Sequence, residues 1–425
     1  MVKRIAGDGW LTSDPLQVLA SNRLIRSRPV LRAARAMVRR RGTYRPYERV
    51  SLDFTLELAE RLFTDSSRPI VWVNLFFPSE LIWGLGLVPF YPEMGASIGA
   101  GLGLSPTGLE QSEALGYPVD LCTFNRSAAG LRAAGFYPRA DAYVSTSNLC
   151  DVTGQLLANF ACEEGRSFFL LDVPQSQDEP ALAYLTAQLQ DLIDRWTTEL
   201  RIPFDPERMR QAIRLSNQAR ALALEAAALR EADPAPLRGS TMLGQLGILT
   251  SIFGHPSGVA YYQALRDYTQ QRAQRAEPEQ ANQKARLYWM HLRPYFLTDF
   301  LYRLEDNLGA VVAFEEASTV WWDALDEEEP VRSLARKVLS NPMNGPVERR
   351  VATTLQHIAR YQCRGAIHFS HWGCRQSSGA LHIVRTRLRK EGVPLLVLDG
   401  DCVDPVNLQM GPLRTRVEAF IEMLV

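Results

Sequence analysis

Three of the six cysteines carry the most distinctive chemistry in this chain of 425 residues. Cys122, Cys150 and Cys374 each border the predicted end of a strand, in a loop or at a helix start, among polar neighbours. Thiolates favour iron–sulfur clusters or zinc, so convergence of the three on one cleft would make a redox metal site. No C-x-x-C spacing occurs, which excludes a zinc ribbon or a ferredoxin-type run. Free cysteines are also common as small buried hydrophobic residues, so spacing alone leaves both interpretations open.

The residues after Cys374 add polar groups where a ligand could sit. Arg375, Gln376 and Ser377 follow it directly. They can donate hydrogen bonds to a cluster or to an acyl carbonyl, or they can simply cap the next helix. Cys402 follows the last predicted strand and is equally compatible with a ligand role and a core role.

The remaining cysteines and two histidines fit structural roles better than catalytic ones. Cys162 lies within a predicted helix, and Cys363 precedes a strand on the side away from the cleft, so we expect both in or near the core. His368 and His371 are three residues apart on a strand and its exit, so they should face opposite sides. We interpret them as core residues or cluster neighbours rather than ligands.

The segment 365–404, which contains Cys374, reads as strand, loop, helix and strand. Its helix LHIVRTRLRK places apolar residues on one face, and VPLLVLDGD is an apolar run typical of a buried parallel strand. Ligands of open α/β sheets bind beyond the carboxyl ends of the strands, where Cys374 falls. The apolar runs PIVWVNLFF, AYVS and SFFLLDVP predict a similar pattern in the first half.

This alternation predicts an α/β fold with two Rossmann/flavodoxin-like parallel-sheet domains, a helical insertion between them and an N-terminal helical extension. We place the N-terminal helical region at 1–65, the first α/β domain at 66–175, the helical segment at 176–283 and the second α/β domain at 284–425. No strand leads directly into the glycine-rich stretch 95–103, where we expect a flexible loop rather than a nucleotide-binding turn.

Composition predicts a soluble globular protein with no nucleic-acid or membrane partner. Lys+Arg and Asp+Glu both number 47, so the net charge gives no overall attraction to nucleic acid or to an anionic membrane. No apolar run is long enough to span a bilayer, and the N-terminus lacks the apolar core of a signal peptide, so we expect a cytoplasmic protein. Ten arginines lie in 22–50 against the single acid Glu48. We interpret this segment as a subunit-docking or solvated helix rather than a nucleic-acid arm.

Several longer motifs together resemble the D-component subunits of the 2-hydroxyacyl-CoA dehydratase and benzoyl-CoA reductase family. The motifs are PSELIWGLGLVPFYPE (78–93), DLCTFNR (120–126), TSNLCD (146–151), LLDVPQSQDEPALAYLTAQLQDLIDRW (170–196), HWGCRQSSGALHIVRTRLRKEGVPLLVLDGDCVDP (371–405) and GPLRTRVEAFIEML (411–424). The similarity covers most of the chain from about residue 50 onward, and its specificity comes from the whole set.

The resemblance implies an iron–sulfur enzyme subunit. In that family three cysteines, which fall here on Cys122, Cys150 and Cys374, hold a [4Fe–4S] cluster without a fourth protein ligand. The resemblance also implies an acyl-CoA substrate and a second D-component subunit, in a homo- or heterodimer. A separate ATP-hydrolysing iron–sulfur activator would supply one low-potential electron. The dehydratases reduce the thioester to a ketyl radical that expels the hydroxyl group, whereas the reductases reduce an aromatic ring.

Two alternatives stay open at this point. Related double-cubane proteins carry an [8Fe–9S] cluster and reduce small molecules, and here Cys402 would be the first candidate for an additional ligand. A non-catalytic subunit could instead keep the fold as a scaffold or as an electron relay.

Overall fold

The computed structural model describes residues 14–296 and 300–425 and confirms the predicted α/β fold class. In these residues eight strands form two sheets of four, and neighbouring strands are parallel. The first sheet contains β1 (Ile70–Val73), β2 (Val88–Phe90), β3 (Ala142–Thr146) and β4 (Ser167–Leu171). The second contains β5 (Ala285–His291), β6 (Ala310–Glu315), β7 (Gly365–His371) and β8 (Leu395–Gly400). Residues 1–13, where the predicted N-terminal region begins and the signal-peptide expectation applies, lie outside the described residues.

The two sheets have the same strand order. It is β2-β1-β3-β4 in the first sheet and β6-β5-β7-β8 in the second, so β3 and β7 occupy equivalent positions. This order opens a crevice at the carboxyl ends of β1 and β3, and likewise of β5 and β7. The continuous apolar runs explain the strands, because every residue of β1, β3, β6 and β7 is buried.

Helices make up most of the connections. Before and within the first sheet they are α1 (Arg28–Arg40), α2 (Pro46–Thr64), α3 (Ser79–Gly84), α4 (Pro92–Gly101), α5 (Ser105–Ala114), α6 (Thr123–Ala133) and α7 (Asp151–Glu164). Between the sheets they are α8 (Glu179–Glu199), α9 (Pro206–Leu229), α10 (Gly239–Leu243), α11 (Leu246–Ser251) and α12 (Pro256–Arg275). The second half adds α13 (Phe300–Asp306), α14 (Pro330–Leu339), α15 (Val347–Arg360), α16 (Arg375–Gly379), α17 (Leu381–Lys390) and α18 (Met410–Leu424). Three short 3₁₀ helices in the described ranges are Asp14–Ala20, Glu316–Ser318 and Pro405–Asn407. In the part of the chain that is described, no helix has the length and apolar character to cross a membrane.

The arginine-rich helix α1 packs on α2 of the same chain. Arg28, Arg32 and Arg35 follow one face of α1 and form ion pairs with Glu60 of α2. Arg35 also pairs with Asp53 at 3.2 Å. Part of the charge of the arginine-rich segment is therefore paired within the chain, while Arg28 and Arg32 also stay largely exposed to solvent.

The glycine-rich stretch that we expected to be a loop folds instead into helix α4. Glycine has a low helix propensity, but close packing compensates for it here. A Cβ on Gly95 would lie 2.8 Å from the Tyr137 ring, and one on Gly130 of α6 would overlap the Gly108 carbonyl oxygen of α5. The absence of side chains at these positions lets the helices and rings approach each other closely.

The two halves of the chain share a hydrophobic core. Trp72 and Tyr143 of the first sheet belong to the same buried apolar cluster as Trp289 and Ile367 of the second. Packing through this common interior fixes the two crevices relative to each other. The residue boundaries of the four predicted regions stay predictions.

Candidate functional site

Cys122, Cys150 and Cys374 line one cavity of about 280 Å³. Cys150 follows β3 and Cys374 follows β7, so two of the three come from equivalent places in the two sheets. Cys122 lies in the loop that leads into α6. The expectation of a strand end is therefore correct for Cys150 and Cys374 and wrong for Cys122, which lies between α5 and α6. The cavity gathers thiols from both halves of the chain, two of them at the strand ends where open α/β sheets bind ligands.

Each of the three cysteines is the N-cap residue of a helix. Cys122 precedes α6, Cys150 precedes α7 and Cys374 precedes α16. The positive ends of α6 and α7 favour negative charge on the neighbouring sulfur, whereas α16 has only 5 residues and contributes less. Gly373 has a φ of +79° and lies against Cys122, because a Cβ there would be 2.7 Å from the Cys122 N and Cα atoms. Glycine at this position therefore allows the Cys374 loop to approach Cys122.

Burial raises the pKa of all three thiols. It raises the pKa of Cys150 to about 11, with Glu93 and Cys374 adding to the effect. Burial also raises the pKa of Cys122, as do the neighbouring Cys150 and Cys374, and it raises the pKa of Cys374. Three buried thiolates so close together repel one another, so a cationic group between them would stabilise the charged form.

His371 donates a hydrogen bond to one of these sulfurs. Its Nε2 lies 3.3 Å from Cys122 Sγ, and its Nδ1 accepts from the backbone N–H of Cys402 at 3.1 Å. The proton of the neutral ring is therefore on Nε2, which faces the sulfur. Burial lowers the pKa of His371 to about 3, so the ring is neutral at physiological pH. His368 faces the other way and bonds Ser377.

His291 faces Cys374 with the opposite arrangement of its nitrogens. Its Nδ1 donates to the Phe369 carbonyl oxygen at 3.0 Å, which leaves Nε2 as an acceptor 3.5 Å from Cys374 Sγ. His291 ends β5 in a left-handed conformation with φ +68°, which is costly for a residue with a side chain. Its backbone N–H donates to Glu316 at 2.9 Å, which helps to hold that conformation.

Arg375, Gln376 and Ser377 lie in three different environments. Gln376 lines the cavity, and its side-chain amide donates to the Met343 carbonyl oxygen at 3.0 Å. Arg375 is exposed. Ser377 is fully buried and is not among the residues that line the cavity.

A buried polar network supports the helix that follows Cys374. Ser377 Oγ lies 2.8 Å from His368 Nε2 and accepts from Arg350 at 3.3 Å. Arg350 also forms a two-point ion pair with Glu316, at 2.6 and 2.8 Å. Burial acts to raise the pKa of Glu316, but the charge of Arg350 outweighs it and lowers that pKa to about 2. The carboxylate therefore stays charged and keeps Arg350 in place.

Glu93 is buried in the cavity wall beside Cys150. The Thr153 hydroxyl, which hydrogen-bonds this carboxyl, lies 3.0 Å from Asn125 Oδ1 and 3.3 Å from Cys150 Sγ. Glu93 Oε2 has no hydrogen-bond partner among the described residues. Burial raises the pKa of Glu93 to about 7. A carboxyl with such a pKa can hold and release a proton at neutral pH.

The two cations in the cavity wall are paired. Lys337 Nζ lies 2.6 Å from the buried carboxylate of Glu80 and 4.0 Å from the centroid of the Trp322 ring. Arg350 is held by Glu316. Much of the remaining wall is aromatic or aliphatic, and such walls exclude water and strengthen polar interactions inside the cavity.

The other three cysteines do not line the cavity. Cys402 is fully buried and contacts the site through its backbone N–H, which bonds His371. Cys363 is half-buried. Cys162 is exposed rather than near the core, because the buried face of α7 is formed by residues such as Leu157 and Phe160.

Glu93, His291, Lys337 and Arg350 were not predicted from the sequence. His291 lies at the carboxyl end of a predicted strand. The same position directed attention to Cys374, so it could also have identified His291 as a candidate. Glu93 closes the motif at 78–93 but carries no spacing that separates it from other acids. For Lys337 and Arg350 we find no signal in the sequence.

A sequence profile described as 2-hydroxyglutaryl-CoA dehydratase, D-component, matches residues 74–424. The chain belongs to this family. The matched part of this chain, which we now call the D-component, includes Glu93 and all three cavity cysteines.

Curated relatives of this D-component are enzyme subunits of similar length. The (R)-phenyllactyl-CoA dehydratase alpha subunit of Clostridium sporogenes is 23% identical, over 83% of this chain and 89% of its own. The alpha subunit of the lactoyl-CoA dehydratase of Anaerotignum propionicum is 22% identical, over 84% and 90%. One of the subunits of the benzoyl-CoA reductase of Thauera aromatica is 24% identical, over 83% and 88%. The D-component is thus an enzyme subunit of the dehydratase/reductase type.

A site for a single metal ion does not account for the cysteines. Within the described ranges, no group of three or more His, Cys, Asp or Glu side chains is arranged to hold one ion. Ligands of an iron–sulfur cluster bind different iron atoms and are spread more widely than the ligands of one ion. The donor set of three thiols around one cavity is compatible with a cluster of this kind.

Proposed function

We propose that this D-component is the iron–sulfur subunit of an ATP-coupled, low-potential acyl-CoA dehydratase or reductase. In this proposal Cys122, Cys150 and Cys374 hold a [4Fe–4S] cluster. A second D-component subunit completes the complex, and a separate ATP-hydrolysing iron–sulfur activator delivers electrons one at a time. The observation that carries the proposal is the meeting of three thiols, from both halves of the chain, in one cavity.

The chemistry of the donor set supports this assignment. A cluster bound here would supply a low-potential electron and, at the iron without a protein ligand, a Lewis acid for a thioester carbonyl oxygen. Three sulfurs leave that position open because Cys402 lies behind His371 rather than in the cavity. The helix ends at Cys122 and Cys150 and the N–H of His371 stabilise negative charge on the sulfurs.

Other residues of the chain would bind the substrate and handle protons. The apolar walls exclude water, which protects a reactive acyl intermediate from side reactions. Glu93 holds a proton at the cavity surface and would transfer it to the departing hydroxyl group, because hydroxide is a poorer leaving group than water. The network of Glu316, Arg350 and Ser377 would act by positioning Cys374.

We propose separate roles for the three residues after Cys374. Gln376 borders the cavity and would contact the bound thioester. Ser377 would position His368 and Arg350 without touching substrate. Arg375 is exposed and would contact a partner protein.

The proposal is tested by reconstituting turnover under anaerobic conditions. The assay combines the D-component, its partner subunit, an activator, ATP and a low-potential reductant with a panel of 2-hydroxyacyl-CoA and benzoyl-CoA thioesters. We expect product from at least one thioester, and we expect it to disappear when ATP or the activator is omitted. Bound iron without product in any combination would favour a scaffold or electron-relay subunit instead.

A further inference from the structure

A second cavity, of about 120 Å³, adjoins the cysteine cavity. Met94, Ser97, Gly247 and Tyr295 border both cavities. We propose that the second cavity binds the distal part of the substrate's acyl group, and that this part is an aromatic or branched alkyl group. The inference rests on the proposed function, because it requires the thioester to lie in the cysteine cavity.

The walls of the second cavity are apolar. Large side chains come from α2, from α6 and from the residue that follows it by three: Phe54, Leu58, Leu62, Phe63, Leu131 and Phe136. No lining residue in the described part of the chain is an acid, a lysine, an arginine or a histidine. A ligand in this cavity would therefore be held by burial of its apolar surface.

Most of the hydroxyl groups in these walls are already bonded to backbone carbonyl oxygens. Hydroxyl groups donate to carbonyl oxygens at 2.8 to 2.9 Å in four pairs: Thr55 to Ser51, Ser97 to Met94, Ser251 to Gly247 and Tyr137 to Pro92. A buried water needs about three polar partners, which these walls do not offer. The cavity is therefore suited to a hydrocarbon group rather than to water.

Met94 stands between the two cavities. Its side chain packs on Gly247, where a Cβ would lie 2.7 Å from the Met94 Cε. The Thr250 hydroxyl lies 3.5 Å from its Sδ. Because methionine is unbranched and has three rotatable side-chain bonds, it can move aside for a ligand that extends from one cavity into the other.

Size and charge define the acyl group that fits. A dry apolar cavity of about 150 Å³ accommodates a molecule of the size of benzene, and the second cavity has a similar volume of about 120 Å³. A terminal carboxylate would be buried there without a cation, which is strongly unfavourable. Both cations of the cysteine cavity, Lys337 and Arg350, are already paired. The two cavities together thus favour an acyl group with an apolar end over one with a second carboxylate.

The test measures thioester binding to wild-type protein and to two matched variants. Leu58 lines only the second cavity, whereas Leu222 of α9 is also half-buried but lines neither. By anaerobic calorimetry, wild-type protein should bind phenyllactyl-CoA at least about tenfold more tightly than lactoyl-CoA or 2-hydroxyglutaryl-CoA. Leu58→Phe fills the second cavity and should remove that preference while keeping the affinity for lactoyl-CoA. Leu222→Phe should keep the preference.

Equal binding of the three thioesters by wild-type protein, or an unchanged preference in Leu58→Phe, would overturn the proposal. If Leu58→Phe does not fold, Phe136→Ala replaces it, because this variant enlarges the second cavity. It should shift the preference towards a naphthyl analogue of phenyllactyl-CoA, and an unshifted preference would reject the proposal.

Failure of the proposed function would give a different result. Wild-type protein would then bind none of the three thioesters, although benzene would still raise its melting temperature and not that of Leu58→Phe. That outcome would reject the acyl group as the occupant of the second cavity.

Discussion

The N-terminal helix pair and the cysteine cavity differ in how their acidic side chains are paired. Each acid of α2 forms an ion pair with an arginine, whereas Glu93 of the cavity does not have both of its carboxyl oxygens bonded. In the helix pair α1–α2, the single side chain of Arg35 forms ion pairs with three acids, Asp53, Glu57 and Glu60, at 2.9 to 3.4 Å. In the cavity, by contrast, Glu93 Oε2 and Asn148 Oδ1 are buried without a hydrogen-bond partner among the described residues. Each thiol in the cavity also has a raised pKa.

On our proposal, this difference separates charges that stabilise the fold from groups that would contact a ligand. The arginine-rich segment is the most prominent charge feature of the sequence, yet several of its arginines are paired with acids of α2 in the same chain. In the cavity, by contrast, burial raises the pKa values of the three thiols and of Glu93, which favours their neutral forms. On our proposal, a buried carboxyl with a raised pKa that faces a cavity is a better guide to the functional site than the number of charges in a segment is.

The largest expected effect comes from removing a cavity thiol. Cys374→Ser should lose bound iron and reduce turnover to background, because serine is a poor ligand for iron–sulfur clusters. Cys162→Ser changes an exposed cysteine outside the cavity and serves as the control. Iron content and turnover should both be normal in that variant. Full iron content in Cys374→Ser would remove this residue from the ligand set.

A smaller effect is expected at the buried carboxyl of the cavity. Glu93→Gln keeps the shape but cannot deliver a proton, so turnover should fall by about 10²-fold or more while iron content stays normal. Glu110→Gln, on the exposed side of α5, should leave turnover unchanged. A normal rate in Glu93→Gln would assign the proton to another group.

Glu93→Gln should also change how the free energy of unfolding of iron-free protein depends on pH. Burial raises the pKa of Glu93 to about 7 in the folded chain, against about 4.3 when unfolded. As pH rises between these two values, the wild type should lose about 4 kcal/mol of stability relative to Glu93→Gln. Denaturant unfolding at a series of pH values measures this difference, and a pH-independent difference would contradict the raised pKa.

A moderate effect is expected from the histidine that bonds Cys122. His371→Leu removes an N–H donor 3.3 Å from the sulfur, so the cluster should keep its iron but become harder to reduce. Spectroscopic redox titration measures the potential, with His382→Leu on the exposed face of α17 as the control. An unchanged potential would show that this hydrogen bond does not tune the cluster.

The smallest expected effect lies in the helix pair. Arg35→Ala breaks several ion pairs and should lower the free energy of unfolding by about 1–2 kcal/mol, because a partly buried network is worth more than one surface pair. Iron content and turnover should not change, and Arg23→Ala, at an exposed position, should change neither stability nor turnover. Loss of turnover in folded Arg35→Ala would contradict the assignment of Arg35 to a purely stabilising role.

The sequence predicts the strands well because most of them are apolar runs, as in β1, where every residue is apolar and buried. Helix α4 is missed because local propensity disfavours glycine, and the packing of Gly95 on Tyr137 that compensates for it depends on the tertiary fold. The grouping of Cys122 with Cys374 could be suggested from strand ends and family motifs. The contact of His371 with Cys122 joins distant parts of the chain and could not be read from either segment alone.

The most direct test of the account is the iron and acid-labile sulfide content of anaerobically purified protein. We expect about four of each per chain, as in a single [4Fe–4S] cluster. About eight irons per chain would favour the double-cubane [8Fe–9S] alternative. Protein that folds normally but binds no iron would contradict the central claim that the three cavity cysteines hold a cluster.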